Sequence, residues 1–136
     1  MKITIDALIQ ADLETVWACW NNPADIMRWN AASDDWHTTA STVDLRTGGK
    51  FTSRMEAKDG SMGFDFTGVY TKVIEKEQIE YTMEDGRTAS VTFAQRDDGV
   101  QVTETFDAEG ENDPEMQRQG WQAILDNFAR YVEAKA

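Results

Sequence analysis

Residues 113–136 read DPEMQRQGWQAILDNFARYVEAKA, and this final stretch decides the fold. Asp113 is a favourable N-cap and Pro114 a favourable first helical residue, and no further proline follows. The sequence therefore predicts a long C-terminal helix. Its apolar residues recur at helical spacing and form one broad stripe: Trp121, Leu125, Phe128 and Val132, flanked by Ile124 and Tyr131. A stripe of this width needs a large partner surface.

The partner surface comes from strands, because most of the chain before this helix alternates between apolar and polar residues. Lys2 to Ile9 has the period of a half-buried strand. Six further strands are predicted over residues 42–46, 51–56, 64–71, 79–84, 89–94 and 100–106. Short glycine turns separate most of them, which indicates an antiparallel meander with its apolar face toward the helix.

Two short helices are predicted between the first and second strands. Asp12 caps the first, which carries Trp17 and Trp20 on its apolar side, and Asn22-Pro23 ends it and starts the second. Residues 30–42 show no clear period, so an irregular segment is expected there. The order strand, two short helices, six strands and long helix predicts an α+β fold with a seven-stranded antiparallel sheet around the C-terminal helix.

Length and composition set the broad class of the protein. A chain of 136 residues is one domain, 1–136. Its 25 acids and 13 bases give a net charge of -12, which argues against binding nucleic acid or anionic membranes. The first residues lack the apolar core of a signal peptide, and no window approaches a membrane span. The single cysteine, Cys19, fits a reducing compartment, so a cytoplasmic location is expected.

The order of elements and three motifs resemble the START-like, helix-grip (SRPBCC) superfamily, and within it the activator of Hsp90 ATPase family. The motifs are residues 43–51 (VDLRTGGKF), Gly68-Val69-Tyr70, and Gly120-Trp121 with Leu125. The resemblance implies a sheet that grips the long helix, with a cavity opening near the two short helices. It also implies ligands such as lipids, hormones or polyketides, and in some relatives cyclisation or hydrolysis. Asn30 and Gln117 differ from the Trp and His that many relatives carry.

Aromatic and methionine side chains on the inward face are the candidate ligand contacts, because they give a pocket area with few polar atoms to satisfy. The same residues are also typical of a plain core. Trp29 and Trp36 lie beside or within the irregular segment at the expected mouth. The inward set comprises Phe51, Met55, Phe64, Phe66, Tyr81 and Trp121.

Two polar residues are predicted on the same inward surface. Glu104 is in phase with Val102 and Phe106, so the alternation directs its carboxyl inward, where an unpaired charge is unfavourable. It is either a pocket acid with a raised pKa, or it is turned outward by a bulge or paired with an arginine. Gln117 lies one helical turn before Trp121 and can reach the pocket as a neutral hydrogen-bonding group.

His37 is the only imidazole, and an acid-base mechanism near neutral pH would most simply use it, with Asp34 or Asp35 to orient it. A lone histidine in a loop is also typical of a surface residue. One histidine and one cysteine make a zinc site improbable, and the glycines near Lys50 lack the spacing of a phosphate loop. No metal or other cofactor is expected.

Three functions remain open from the sequence. The first is a module that binds a small apolar or aromatic molecule between sheet and helix. The second is a cyclase or hydrolase that uses His37 or Glu104 in the same cavity. The third is a protein-interaction domain whose acidic surface binds a basic partner such as a chaperone. The oligomeric state, including a homodimer, stays open.

Overall fold

The computed structural model describes residues 1–135 and confirms the predicted α+β helix-grip architecture. Seven antiparallel strands form one curled sheet, two short helices follow the first strand, and a long helix ends the chain. The elements in chain order are β1 (Lys2–Ile9), α1 (Leu13–Asn21), α2 (Pro23–Trp29), β2 (Trp36–Val43), β3 (Lys50–Ala57), β4 (Gly63–Ile74), β5 (Gln78–Met83), β6 (Thr88–Arg96), β7 (Gly99–Asp107) and α3 (Pro114–Lys135).

Strands β2 to β7 form an antiparallel meander, and β1 is added beside β7. The spatial order of the sheet is β1-β7-β6-β5-β4-β3-β2, so β1 and β2 form the two edges. Three of the tight turns place a glycine at positive φ, at Gly60, Gly86 and Gly99, as the turn chemistry of the sequence predicts. Residues that alternate in sequence therefore alternate in burial, most clearly along β7.

The core lies between the inner face of the sheet and α3. Leu125, Phe128 and Val132 of α3 are fully buried, and they meet fully buried β-branched side chains of the sheet such as Val100 and Val102. Asp12 caps α1 by accepting a hydrogen bond from the Thr15 amide, and the side chain of Asn22 caps α2 in the same way.

One predicted segment is wrong. Residues 30–42 are not irregular throughout, because β2 occupies Trp36–Val43 and ends where the second strand was expected to begin. Two features hide this strand from a period-2 search. It is rich in Thr and Ser and lies at a sheet edge, and a bulge between Thr38 and Ala40 shifts its register.

Two helices clamp each other through a buried acid. Asp25 of α2 is 9% exposed and accepts hydrogen bonds from the Tyr131 hydroxyl and from Lys135 Nζ, both on α3. Asn127 adds a hydrogen bond from its Nδ2 to the Trp29 carbonyl, 2.8 Å long. These contacts fix α2 against the C-terminal half of α3. Within residues 1–135, no helix is long and apolar enough to cross a membrane.

Candidate functional site

A cavity of about 290 Å³ lies between the inner face of the sheet and the N-terminal half of α3. Its walls are mainly aromatic. The Phe51 and Tyr81 rings meet edge to face at 4.9 Å, and the Phe66 and Trp121 rings do so at 6.2 Å. Trp20 and Trp29 from the short helices complete the aromatic wall. A flat ligand in the cavity would therefore contact aromatic rings on several sides.

Two of these tryptophans are held rigidly. Trp121 stacks on Phe106 with ring centroids 3.9 Å apart and planes 8° from parallel. Trp29 donates a hydrogen bond from its indole Nε1 to the Cys19 carbonyl at 2.9 Å. The cavity shape is therefore set by the packed core behind it, and a ligand would not need to order these side chains.

Glu104 enters the cavity from β7, as the alternation predicts. It is 5% exposed, and its in-register neighbours on the adjacent strands are Ile5 and Val91, both buried. Burial raises the pKa of Glu104 to about 8. Neither predicted alternative holds, since the carboxyl is not turned to solvent and no arginine among residues 1–135 forms an ion pair with it. Glu104 is thus a protonated acid at neutral pH.

Three further buried polar side chains face the cavity. Ser53, Tyr70 and Tyr81 are each between 5% and 7% exposed, and all line it. Burial, and secondarily the charge on Glu104, raises the pKa of Tyr81 well above its ordinary value. Burial raises the pKa of Tyr70 to about 12. Both phenols therefore stay neutral and can donate or accept hydrogen bonds.

Arg87 is a cavity residue that the sequence interpretation missed. It follows the turn between β5 and β6, where no periodicity predicts the direction of a side chain. Its guanidinium donates from Nε to Asp85 at 2.7 Å and from Nη1 to the Asp107 carbonyl at 3.4 Å. The charge at this edge of the cavity is consequently already paired.

Ser53 and Tyr70 were also not predicted as site residues, although a signal existed. Both occur in the inward phase of their strands, Ser53 between Phe51 and Met55, and Tyr70 after Phe66 and Gly68. A polar group in an apolar phase is the same signal that identified Glu104. Applied to every strand, it would have found them.

The structure brings eight of the predicted site residues together around this cavity. Tyr81 and Glu104 supply polar atoms. The other six supply apolar surface: Trp29, Phe51, Met55, Phe64, Phe66 and Trp121. Phe64 is 49% exposed, which places it at the mouth.

Trp36 and His37 lie elsewhere, in an open groove between α2 and β2, which we call the β2 groove. His37 is exposed on the edge strand and pairs in register with Glu56 of β3. Trp36 lies closer to the cavity, since its ring centroid is 6.0 Å from that of Phe64 at the mouth. These positions follow from the presence of β2 where an irregular segment was expected. The register of this strand determines where both side chains point.

Gln117 is buried but does not line the cavity. Its Oε1 accepts from the Glu109 amide at 2.8 Å, and its Nε2 donates to the carbonyls of Asn112 and Glu109. The side chain ties the loop before α3 to the first turns of that helix. In the described residues 1–135, no group of three or more His, Cys, Asp or Glu side chains is arranged to hold a metal ion.

Comparison with known proteins identifies the family. The family described as Activator of Hsp90 ATPase homolog 1-like protein matches residues 10–133. The chain belongs to this family. No curated protein matches the sequence.

Several solved structures share this fold. The AHSA1-like protein of Aeromonas hydrophila is 56% identical, with a TM-score of 0.94 over 99% of this chain and 94% of that chain. A protein of Cytophaga hutchinsonii is 48% identical, with a TM-score of 0.85 over 98% and 93%. A protein of Chromobacterium violaceum has a TM-score of 0.84 over 98% of each chain but only 22% identity, so it supports the fold alone.

Close contacts explain why glycine occupies two positions in the motifs that resemble this family. A Cβ on Gly68 would lie 2.6 Å from the Phe51 ring, so glycine makes room for that ring in the cavity wall. A Cβ on Gly49 would lie 2.0 Å from the backbone carbonyl oxygen of Asp44, so this turn into β3 excludes any larger residue. The motifs thus shape the wall that carries Phe51 and Ser53.

Proposed function

We propose that this protein binds a small organic molecule, largely apolar or aromatic, in the cavity between the sheet and α3. The cavity volume of about 290 Å³ is just below the lower limit of the range typical of ligand pockets, about 300 to 1,000 Å³. Rigid rings such as Trp121 and Phe66 line it. A ligand with one or two fused rings fits these dimensions.

One observation carries the proposal. Ser53, Tyr70, Tyr81 and Glu104 are at least nine-tenths buried and line the cavity, and their side chains form no hydrogen bond within the described residues 1–135. Their polar atoms open onto the cavity, since within those residues Ser41 Oγ is the one fully enclosed side-chain atom without a partner. Buried polar groups in proteins are normally hydrogen-bonded to protein or water. Four such groups around one hollow are what a site for a partly polar guest requires, whereas a plain core would gain nothing from them.

Binding is favoured over catalysis by the set of titratable groups around the cavity. Within the described residues, the ones that line it are Tyr70, Tyr81, Arg87 and Glu104. This set contains one protonated acid and no separate base, and His37 lies in the β2 groove. A cyclase or hydrolase would need a base or nucleophile in reach of the guest. Docking to a chaperone concerns the exterior and is independent of the cavity.

The proposal is tested by native mass spectrometry of the protein purified from its own host, followed by thermal-shift assays with a panel of small aromatic compounds. Two variants fill the cavity from different walls, Ser53→Leu and Ile124→Phe. His37→Ala in the β2 groove is the matched control. We expect a bound small molecule, or thermal stabilisation by panel members, in the wild type and in His37→Ala, and its loss in both cavity variants.

Two results would contradict the proposal. One is a wild-type protein that arrives without a guest and is stabilised by no compound of the panel. The other is a guest that both cavity variants retain but His37→Ala loses, since this would locate binding in the β2 groove.

A further inference from the structure

The chemistry of the cavity narrows the class of ligand. Glu104 projects from β7 between Ile5 of β1 and Val91 of β6, and the part of α3 above the cavity contributes the apolar Trp121 and Ile124. Within residues 1–135, no charged group from these elements shifts the pKa of its carboxyl, and Tyr81 of β5 is a neutral titratable neighbour. Burial is accordingly the one cause that raises the pKa of Glu104 to about 8. At neutral pH the group is a carboxylic acid with an O–H to donate.

The other groups that face the cavity are neutral or already paired. Ser53, Tyr70 and Tyr81 carry hydroxyls that act as donors or acceptors. Arg87 is the cation of the lining within residues 1–135, and its guanidinium binds Asp85 and the Asp107 carbonyl. The buried hydrogen-bonding groups of the lining are therefore hydroxyls and one protonated carboxyl, and the partly exposed Asn21 and Asn30 add neutral amides.

Anionic, cationic and neutral ligands would interact differently with these groups. A carboxylate would bury its own charge beside a guanidinium that already binds Asp85 and the Asp107 carbonyl, in a chain of net charge -12. An ammonium would require Glu104 to lose its proton, so that two charges are desolvated beside Arg87. A carbonyl oxygen accepts the Glu104 hydrogen bond without burying any charge.

We propose that the cavity selects uncharged aromatic molecules that bear a carbonyl oxygen, and that the Glu104 carboxyl is the hydrogen-bond donor that recognises this oxygen. This inference rests on the proposed function and specifies its ligand class. The aromatic body lies among Phe66, Tyr81 and Trp121, and the oxygen points toward β7. Glu104 acts as a specificity residue, because it rejects guests of either charge.

Three naphthalenes with the same ring and different substituents test the class. They are 2-acetylnaphthalene, 2-naphthoate and protonated 2-(aminomethyl)naphthalene, titrated by calorimetry at about pH 6.5. We expect the ketone to bind about tenfold more tightly than either charged compound, the equivalent of one good hydrogen bond. Tighter binding of the carboxylate or the ammonium would overturn the ligand class and leave the proposed function standing. If none of the three binds, the ligand class fails, whereas the proposed function is decided separately by whether a small molecule co-purifies with the protein.

The role of Glu104 is tested by the pH dependence of ketone binding, since the ketone itself does not titrate. Only the protonated acid donates, so the wild-type affinity should fall by up to about 30-fold between about pH 6.5 and about pH 9.5, given a pKa of about 8. Glu104→Gln keeps a neutral donor and should bind with a flat profile. Glu84→Gln, an exposed glutamate in the β5–β6 turn, should keep the wild-type profile.

A flat wild-type profile would overturn the assignment of Glu104 as the donor. So would a Glu104→Gln variant that keeps the full pH dependence. Glu104→Leu separates hydrogen bonding from folding, because it should remain folded by circular dichroism and bind the ketone more weakly than Glu104→Gln does. Equal affinity of the two variants would contradict the hydrogen bond.

Discussion

The two halves of α3 carry one continuous apolar stripe but meet different surroundings. In the C-terminal half, Phe128 is fully buried, with its ring 4.9 Å from Trp20 and 4.8 Å from Trp29. In the N-terminal half, Trp121 and Ile124 are only partly buried and line a cavity. The short helices cover one half of the stripe, while the other half faces polar residues of the sheet. The cavity therefore depends on which elements pack against α3. The apolar stripe of the helix does not by itself predict where the cavity lies.

The largest expected effect compares the two halves directly. Phe128→Ala removes a fully buried ring from the packed half, and should lower the free energy of unfolding by about 3 to 5 kcal/mol. Trp121→Ala removes a partly buried ring from the cavity wall, and should lower it by about 1 to 2 kcal/mol while abolishing ligand binding. Urea denaturation and calorimetric titration measure the two properties. A larger stability loss for Trp121→Ala would invert the comparison.

The next largest expected effect is a gain in stability, and it tests whether Glu104 is protonated in the folded protein. The pKa of Glu104 is raised from an ordinary value of 4.5 to about 8, so between these values the folded protein holds a proton that the unfolded chain releases. The stability that this proton contributes is fully present below about pH 4.5 and is lost as the pH rises to about 8. Glu104→Gln should remove this dependence and stabilise the protein by up to about 3 kcal/mol at pH 7.

Urea denaturation across that pH range checks the sign. Equal slopes of stability against pH for the wild type and Glu104→Gln would mean that the carboxyl is not protonated in the folded protein. Glu84→Gln serves again as the exposed control, and it should leave the slope unchanged.

A smaller effect compares two tyrosine hydroxyls. The Tyr131 hydroxyl donates to the buried Asp25 in the packed half, so Tyr131→Phe should lower the free energy of unfolding by about 1 to 2 kcal/mol. The Tyr81 hydroxyl in the cavity has no hydrogen-bond partner within the described residues, so Tyr81→Phe should change stability by less than about 0.5 kcal/mol. Thermal unfolding of both variants decides this. Equal losses would mean that the cavity hydroxyl is as well satisfied as the one in the core.

Local patterns predicted most of the fold, since they depend on neighbouring residues. Alternation in β7 directed Glu104 inward, and the helical stripe identified the buried residues of α3. The edge strand β2 escaped, because an edge strand need not alternate and its bulge breaks the period. Because of that error, Trp36 and His37 were both predicted to lie at the mouth of the cavity. The register of β2 instead places His37 away from the mouth.

The candidate site was less predictable, because it depends on contacts between distant segments. Gln117 lies on the expected helical face, yet it binds the loop that contains Glu109 and Asn112. Arg87 reaches the cavity from a turn, where sequence spacing predicts no direction. Cavity volume likewise depends on how sheet and helix pack, and no local pattern encodes that distance.

The most direct test of the central claim is a titration of ¹⁵N-labelled protein with 2-acetylnaphthalene, followed by amide chemical shifts. We expect the largest changes at cavity residues such as Ser53, Tyr81, Glu104 and Trp121, and little change around Val132 in the packed half of α3. Changes centred on His37 in the β2 groove, or spread evenly over the outer face of the sheet, would contradict it.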